Sequence, residues 1–372
     1  MIIGVPKEIK TDEHRVAITP AGVRELTGAG HRVIIEKSAG LGSSITDLDY
    51  STNGATIISN ADDVWAEADM IMKVKEPVAP EYPRLAARKN QVLFTYLHLA
   101  ASRECTDALV AAKNVAIAYE TVRLRDNSLP LLAPMSEVAG RMSTIVAANH
   151  LMRPGGGRGT LIGGVPGVHA ANVVVIGAGV AGMNAAEMAM GLHANVTIID
   201  RNLDRLRQVD QHFGGRVQTM ASSTLAVEEA CLNADIVIGA VLVVGAKAPK
   251  LVSNELVSRM KSGSVLVDIA VDQGGCFEDT RATTHSEPTF KVHDSLFYCV
   301  ANMPGAVPNT STYALANATL PYAMELARHG WREAVLADNA LAEGVNVVNG
   351  EITYSSVAEA MGMSYTALGS LL

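Results

Sequence analysis

At 372 residues the chain is longer than a single hydrophobic core supports, which favours two domains. Its make-up, 48% hydrophobic and 18% charged with 32 glycines and only 4% aromatic residues, suits a globular protein of α/β layers, where small residues let helices sit close on sheets. A net charge of −8 argues against nucleic acid as a partner, because that needs basic surface.

The opening "MIIGVPKEIK" places Lys7 and Glu8 where a signal peptide needs an unbroken apolar core. The longest apolar runs fall short of the roughly 18 residues of a membrane helix, so a soluble, cytoplasmic protein without a membrane partner is expected. In the first third, "IIGVP" (2–6), "HRVIIEK" (31–37), "MIMKVK" (70–75), "VLFTYLH" (92–98) and "VAIAYE" (115–120) read as strands. Helical stretches separate them. In "TPAGVRELTGAG" (19–30), Thr19 caps a helix, Pro20 fits its first turn and Gly28 or Gly30 ends it. Such alternation predicts a parallel sheet covered on both faces. Cys105, Cys231, Cys276 and Cys299 show no CxxC pair or zinc-type spacing, so they are expected to be buried free thiols, and no metal site is assigned.

Next comes "SEVAGRMSTIVAANHLM" (136–152), an apolar-periodic helix capped by Ser136, and then the glycine- and proline-rich connector 153–167. Six further strands follow, at 173–177, 196–200, 216–220, 235–241, 264–270 and 296–302, enough for a six-stranded open sheet. After Pro304 the pattern turns helical, with a long helix over 310–330, Pro321 as a kink, and no recognisable strands. The expected organisation is a first domain over 1–135, a second over 136–304, and a helical segment 305–372 returning to the first. This gives two Rossmann-like α/β lobes, each with a doubly wound parallel sheet, separated by a cleft.

The most specific segment is "VVVIGAGVAGMNAAEMAMGLHANVTIID" (173–200). A β-branched strand feeds Gly177, Gly179 and Gly182, an alanine-rich helix follows, and a second strand ends at Asp200, 18 residues past Gly182. Gly177 permits the tight turn, Gly179 lets backbone approach a pyrophosphate, and Gly182 lets helix and strand pack. The helix N-terminus then faces the phosphates with unpaired N–H groups. A carboxylate at Asp200 binds ribose hydroxyls and repels a 2′-phosphate, favouring NAD, although neighbouring Arg201 could accept that phosphate.

Charge also gathers where strands should end. Arg15 falls in a polar loop after the first strand, Lys73 and Lys75 share a face before Pro77, and Asp268 and Asp272 close the fifth strand of the second set. Taken singly, Arg15, Lys73 or Lys75 reads as a solvated surface charge. Ligands of open α/β sheets bind outside the carboxyl ends of strands, which makes Lys75, His98 and Asp272 candidates to line the cleft. Arginine and lysine can hold a carboxylate, and His98 can exchange protons near neutrality. Asp272 can accept a proton, orient a water, bond the nicotinamide ribose, or simply cap a turn.

Taken together, "IGVPKEIK", "EHRVAITPAGV", "KVKEP", "FTYLHLAAS", "LPLLAPMSEVAGR", "GGRGTLIGGVPGV", "VVVIGAGVAG", "GAKAPKLVS", "VDIAVDQGGCFE" and "YCVANMPGAVPNTSTYAL" stand in an order that resembles the alanine dehydrogenase family. That family also includes the nucleotide-binding domain of the transhydrogenase α-subunit. The resemblance implies substrate binding by Arg15 and Lys75 and catalysis by His98 and Asp272. It implies NAD contacts at Ser136, Gly177, Gly179, Val180, Gly182, Asp200, Arg205, Ser222, Val241, Leu242, Ile269, Asp272, Val300, Asn302 and Met303. It further implies a homohexamer that interconverts L-alanine with pyruvate and ammonium. A transhydrogenase-like hydride-transfer domain, a saccharopine dehydrogenase and a silent NAD-sensing module are the alternatives.

Overall fold

Short apolar runs bounded by polar turns become strands, and the chain sorts them into two units, Met1–Met135 with Val307–Leu372, and Ser136–Ala306. The computed structural model describes residues 1–241 and 248–372. In the first unit, β1 (Ile2–Val5), β2 (Arg32–Glu36), β3 (Thr56–Ile58), β4 (Met70–Met72), β5 (Val92–Thr95) and β6 (Val115–Ala118) lie parallel in the order β6-β5-β4-β1-β2-β3. The central strands β4, β5 and β6 are buried along their whole length, as a sheet covered on both faces requires. The helix Pro20–Gly28 begins as expected, with Thr19 Oγ1 accepting the Gly22 N–H at 3.3 Å. Strand β3 was not anticipated. It is short, at the sheet edge and only half-buried, so it carries little apolar signal.

A helix over Ala133–Leu151 carries the chain into the second unit. It starts ahead of the expected cap, so Ser136 lies inside the first turn and does not cap it; Pro134, well suited to a first turn, explains the earlier start. Connector residues 153–167 hold only a short turn at Arg153–Gly155 and one isolated bridge, Val165 with Val168. Then come β7 (Asn172–Ile176), β8 (Asn195–Asp200), β9 (Gln218–Ala221), β10 (Ile236–Gly239), β11 (Val265–Asp268), β12 (Thr289–Val292) and β13 (Ser295–Tyr298). Their order is β12-β13-β11-β10-β7-β8-β9. The expected six-stranded parallel sheet is present as β9-β8-β7-β10-β11-β13, with its order reversing between β7 and β10. The seventh strand, β12, was missed; it pairs antiparallel with β13 at the edge.

The carboxyl-terminal part opens with a helix over Pro308–His329 that contains Pro321. Two strands then follow where none was expected, β14 (Val345–Val348) and β15 (Glu351–Ile352). β14 pairs antiparallel with β6, so the first unit's sheet has eight strands. Asn346 interrupts the apolar run of β14, and its buried amide donates to Thr121 Oγ1 at 2.8 Å and to the Gly344 carbonyl at 3.0 Å. All four cysteines are free and buried, and burial pushes each thiol up to about 12. Among the described residues no helix is long and apolar enough to cross a membrane.

Candidate active site

In the first unit β6, β5, β4 and β1 are neighbours, and the segments leaving their carboxyl ends carry the charged residues singled out above. Arg15, on the segment after β1, is 2% exposed and is no surface cation. Its Nε and Nη2 donate to Glu13 Oε1 at 2.7 Å and Oε2 at 2.6 Å, and its Nη1 lies 3.0 Å from Met135 Sδ. Burial alone would raise the Glu13 carboxyl, but the hydrogen bonds and charge of Arg15, joined by Lys75, hold it down at about 2. The pair therefore keeps a guanidinium oriented inside the protein, because a bidentate carboxylate offsets the cost of burying it.

Lys73 also departs from the surface reading. Its side chain is 0% exposed, with Nζ 3.0 Å from Glu8 Oε2 and 2.9 Å from Glu81 Oε1. Burial works against the ammonium, and the two carboxylates outweigh it, so its pKa is raised. Glu8 Oε1 in turn accepts the Val74 N–H at 2.6 Å and the Lys75 N–H at 3.4 Å. The segment after β1 thereby fixes the backbone that presents half-buried Lys75. Glu76, paired with Lys10, is pushed up by burial, yet Lys10, Lys75 and His98 together hold it below the usual carboxylate range.

His98 lies three residues beyond the end of β5, with an exposed side chain and a left-handed backbone, φ 49°. Its ring stacks on Tyr96 with centroids 5.7 Å apart and planes 9° from parallel. Tyr96 is buried and anchored by its O–H, which donates to the Leu131 carbonyl at 2.6 Å. Glu120, in the turn after β6, accepts the His98 N–H at 2.6 Å and lies 3.9 Å from His98 Nδ1. Arg15, Lys75 and His98 are thus gathered at the same end of adjacent strands, among Glu13, Glu76, Tyr96 and Glu120. The sequence reading missed those four: Glu76 and Glu120 draw their importance from partners on segments after other strands, and Glu13 and Tyr96 from a burial that periodicity does not reveal.

Asp272 belongs to the second unit, where it is exposed in the short turn Val271–Gln273 beyond β11. Its neighbour Asp268 has a different job. Buried at the end of β11, it accepts the N–H groups of Ala270, Cys276 and Phe277 at 3.0, 2.8 and 3.3 Å and the Thr280 hydroxyl at 2.5 Å. It staples the loop that carries Asp272.

The glycine turn follows β7. Gly177 has φ +106°, and a side chain there would meet the Ala240 carbonyl at 2.7 Å. A Cβ on Gly182 would stand 1.8 Å from the Gly177 oxygen, whereas one on Gly179 would meet nothing within 4 Å. Two glycines therefore close the turn, and the third leaves exposed backbone at the start of the helix Val180–Gly191. Asp200, ending β8, accepts the Ala178 N–H at 2.7 Å and the Asn202 N–H at 2.8 Å, which fixes its carboxylate beside the turn. These residues fit a dinucleotide: open backbone donors for a pyrophosphate, and a fixed anion one strand away for a ribose.

Among the described residues, the other expected nucleotide contacts belong to the second unit. Val180 and Arg205 are exposed, while Ser136, Ser222, Val241, Ile269 and Asn302 are half-buried. Ser222 N–H donates to the Asp200 carbonyl at 2.9 Å, and Ile269 N–H to that of Gly239 at 2.9 Å, which sets both at strand ends on either side of β7. Val300 and Met303 are buried and belong to the core. Leu242 lies outside the described residues.

Two family models cover nearly the whole chain: alanine dehydrogenase/PNT, N-terminal domain, over residues 4–139, and alanine dehydrogenase/PNT, C-terminal domain, over residues 143–355. The sequence is 60% identical to an alanine dehydrogenase of Mycolicibacterium smegmatis and 53% identical to one of Staphylococcus saprophyticus, covering 100% of both chains in each comparison. A solved L-alanine dehydrogenase matches with a TM-score of 0.94 at 50% identity, over 97% of this chain and 99% of that one. A transhydrogenase from Sinorhizobium meliloti matches with a TM-score of 0.79 at 26% identity, over 95% of this chain and 99% of that one. With both domains matched and full-length relatives at 60% identity, the chain belongs to the alanine dehydrogenase/PNT family.

Proposed function

We propose that this chain is an L-alanine dehydrogenase, catalysing the reversible NAD-dependent oxidative deamination of L-alanine to pyruvate and ammonia. The observation that carries this reading is the gathering of Arg15, Lys75 and His98 at one end of β1, β4 and β5, in a chain 60% identical end to end to alanine dehydrogenases.

The glycine turn would hold NAD, which would supply the hydride acceptor for the alanine Cα. With Gly177 and Gly182 closing the turn, the open backbone at Gly179 and the helix N-terminus would hold its pyrophosphate, and Asp200 would bind the adenosine ribose and disfavour a 2′-phosphate. Arg15, prealigned by Glu13, and Lys75 grip the substrate carboxylate, fixing which way the Cα hydrogen points. The amine loses a proton before the hydride leaves, and iminopyruvate forms. Water adds to the imine carbon, and the adduct collapses to pyruvate and ammonia. His98 carries the protons of these steps, and Asp272 shares a proton or orients the water. The family resemblance further assigns a cytoplasmic homohexamer; exposed Leu161 and Val165 on the connector and Val168 just after it support a subunit contact.

The test is NADH oxidation with pyruvate plus ammonium, with each omitted in turn and with NADPH substituted. Turnover should need both substrates and be poor with NADPH. Oxidation that ignores ammonium would overturn the amino-acid dehydrogenase reading, and ammonium-independent hydride exchange between nucleotides would favour a transhydrogenase. His98→Asn, chosen because asparagine tolerates a left-handed backbone, should lose roughly 10²–10⁴ in rate yet still bind NADH.

A further inference from the structure

We propose that Glu120 is the positioning residue for His98: its carboxylate, reaching from the end of β6, holds the His98 backbone left-handed and keeps a negative charge against Nδ1 of the ring. The proposal rests on His98 carrying protons in the reaction above.

Strands β5 and β6 pair in register up to Thr95 and Ala118, and beyond that pair their chains diverge. Into the gap the turn Tyr119–Thr121 sends Glu120, 16% exposed at its side chain. Its two oxygens accept the Leu97 N–H at 3.1 and 3.2 Å, and Oε1 also takes the His98 N–H at 2.6 Å. Two successive N–H groups turned on one carboxylate form a small anion-binding concavity. A φ of 49° is strained for a residue with a Cβ, so something must hold it. The carboxylate is that restraint, and the His98 carbonyl completes the turn by accepting the Ala101 N–H at 2.9 Å.

The chemical consequence follows from direction. With the backbone so fixed, the His98 ring lies on Tyr96 and turns Nδ1 towards Glu120 Oε1, 3.9 Å away. When the imidazole takes up a proton, the positive charge forms beside an anion already in place, with no reorganisation needed at that moment. Glu120 then acts through His98 and does not touch substrate. This distinguishes it from Glu76, whose carboxylate is also committed to Lys10.

The experiment uses the full-length protein with Glu120→Gln, His98→Asn and the double variant, following reductive amination of pyruvate with ammonium and NADH, NADH binding by fluorescence, and thermal unfolding. Glu120→Gln keeps an acceptor for the backbone but loses the charge, and should lower kcat about 10²-fold, the scale of a slightly misplaced catalytic group. KM for pyruvate and Kd for NADH should stay within about threefold, and in the His98→Asn background the same change should cost under about threefold, because the two residues act as a unit. Near-normal kcat in Glu120→Gln, or its full cost repeated in the His98→Asn background, would overturn the proposal. A His98→Asn enzyme with near-normal kcat would instead refute the role of His98, and that single variant shows it separately. Should Glu120→Gln fail to fold, Glu120→Asp carries the same test, retaining charge but too short to span both N–H groups.

Discussion

Lys73→Met would remove the ammonium held between Glu8 and Glu81, whose side chains are 3% and 2% exposed. At an effective dielectric constant near 20, each contact of about 3 Å is worth roughly 5 kcal/mol before desolvation. Removing the ammonium also removes its own desolvation cost, which brings the expected loss to about 3–5 kcal/mol. Both tryptophans, Trp65 and Trp331, lie in the first unit, so urea unfolding followed by tryptophan fluorescence reports on that unit alone. With a slope of about 2 kcal/mol/M, the midpoint should fall by about 1.5–2.5 M. The deficit should also depend on pH. Burial raises the Glu8 carboxyl despite Lys73. A carboxyl raised in the folded state adds stability below its unfolded value and loses it as pH climbs through the folded one. Without Lys73 to oppose that rise, the deficit should be smaller at about pH 5 than at about pH 8. A midpoint shift under about 0.5 M at both would refute the view that this triad is held by its charges.

The glycine turn offers a paired test. Gly179→Ala should leave thermal stability unchanged, since its Cβ meets nothing within 4 Å, yet weaken NADH binding at least about tenfold by crowding the phosphates. Gly182→Ala, 1.8 Å from the Gly177 oxygen, should destabilise the second unit outright; equal effects from the two would contradict their assignment. Glu13 gives a prediction in acid. Held at about 2 against an ordinary 4.5, it contributes stability above pH 4.5 that is lost as pH falls towards 2, roughly 3 kcal/mol in all. Glu13→Gln should flatten that part of the tryptophan-monitored acid curve, and an unchanged curve would show that the pair does not govern it.

The second unit was the more legible in the sequence, because β7, β8, β10 and β11 are apolar β-branched runs and the glycine turn has a fixed spacing. Three of the missed strands, β3, β12 and β15, lie at edges, where exposure and short length dilute that signal; β14, buried throughout, was hidden by its polar Asn346. The hairpin had a readable mark nonetheless. Asn349 and Gly350, with φ of 52° and 91°, form the Asn-Gly turn that joins two strands tightly, but buried Asn346 disguised the first strand. Position at strand ends singled out Arg15, Lys75, His98 and Asp272 as candidates but gave no sign that Arg15 and Lys73 are buried. Glu8 reaches Lys73 across 65 positions of chain, and periodicity holds no record of such a partner.

The antiparallel pairing of β6 with β14 also sets an order of assembly. Val345 is made roughly 230 residues after Ala118, which at 5–20 residues per second means a delay of roughly 10–45 s on the ribosome. Throughout that interval β6, apolar and buried in the finished protein, has an open edge able to pair with any passing strand. The middle unit, encoded without interruption, has all of its residues well before then. The unit begun first is therefore finished last.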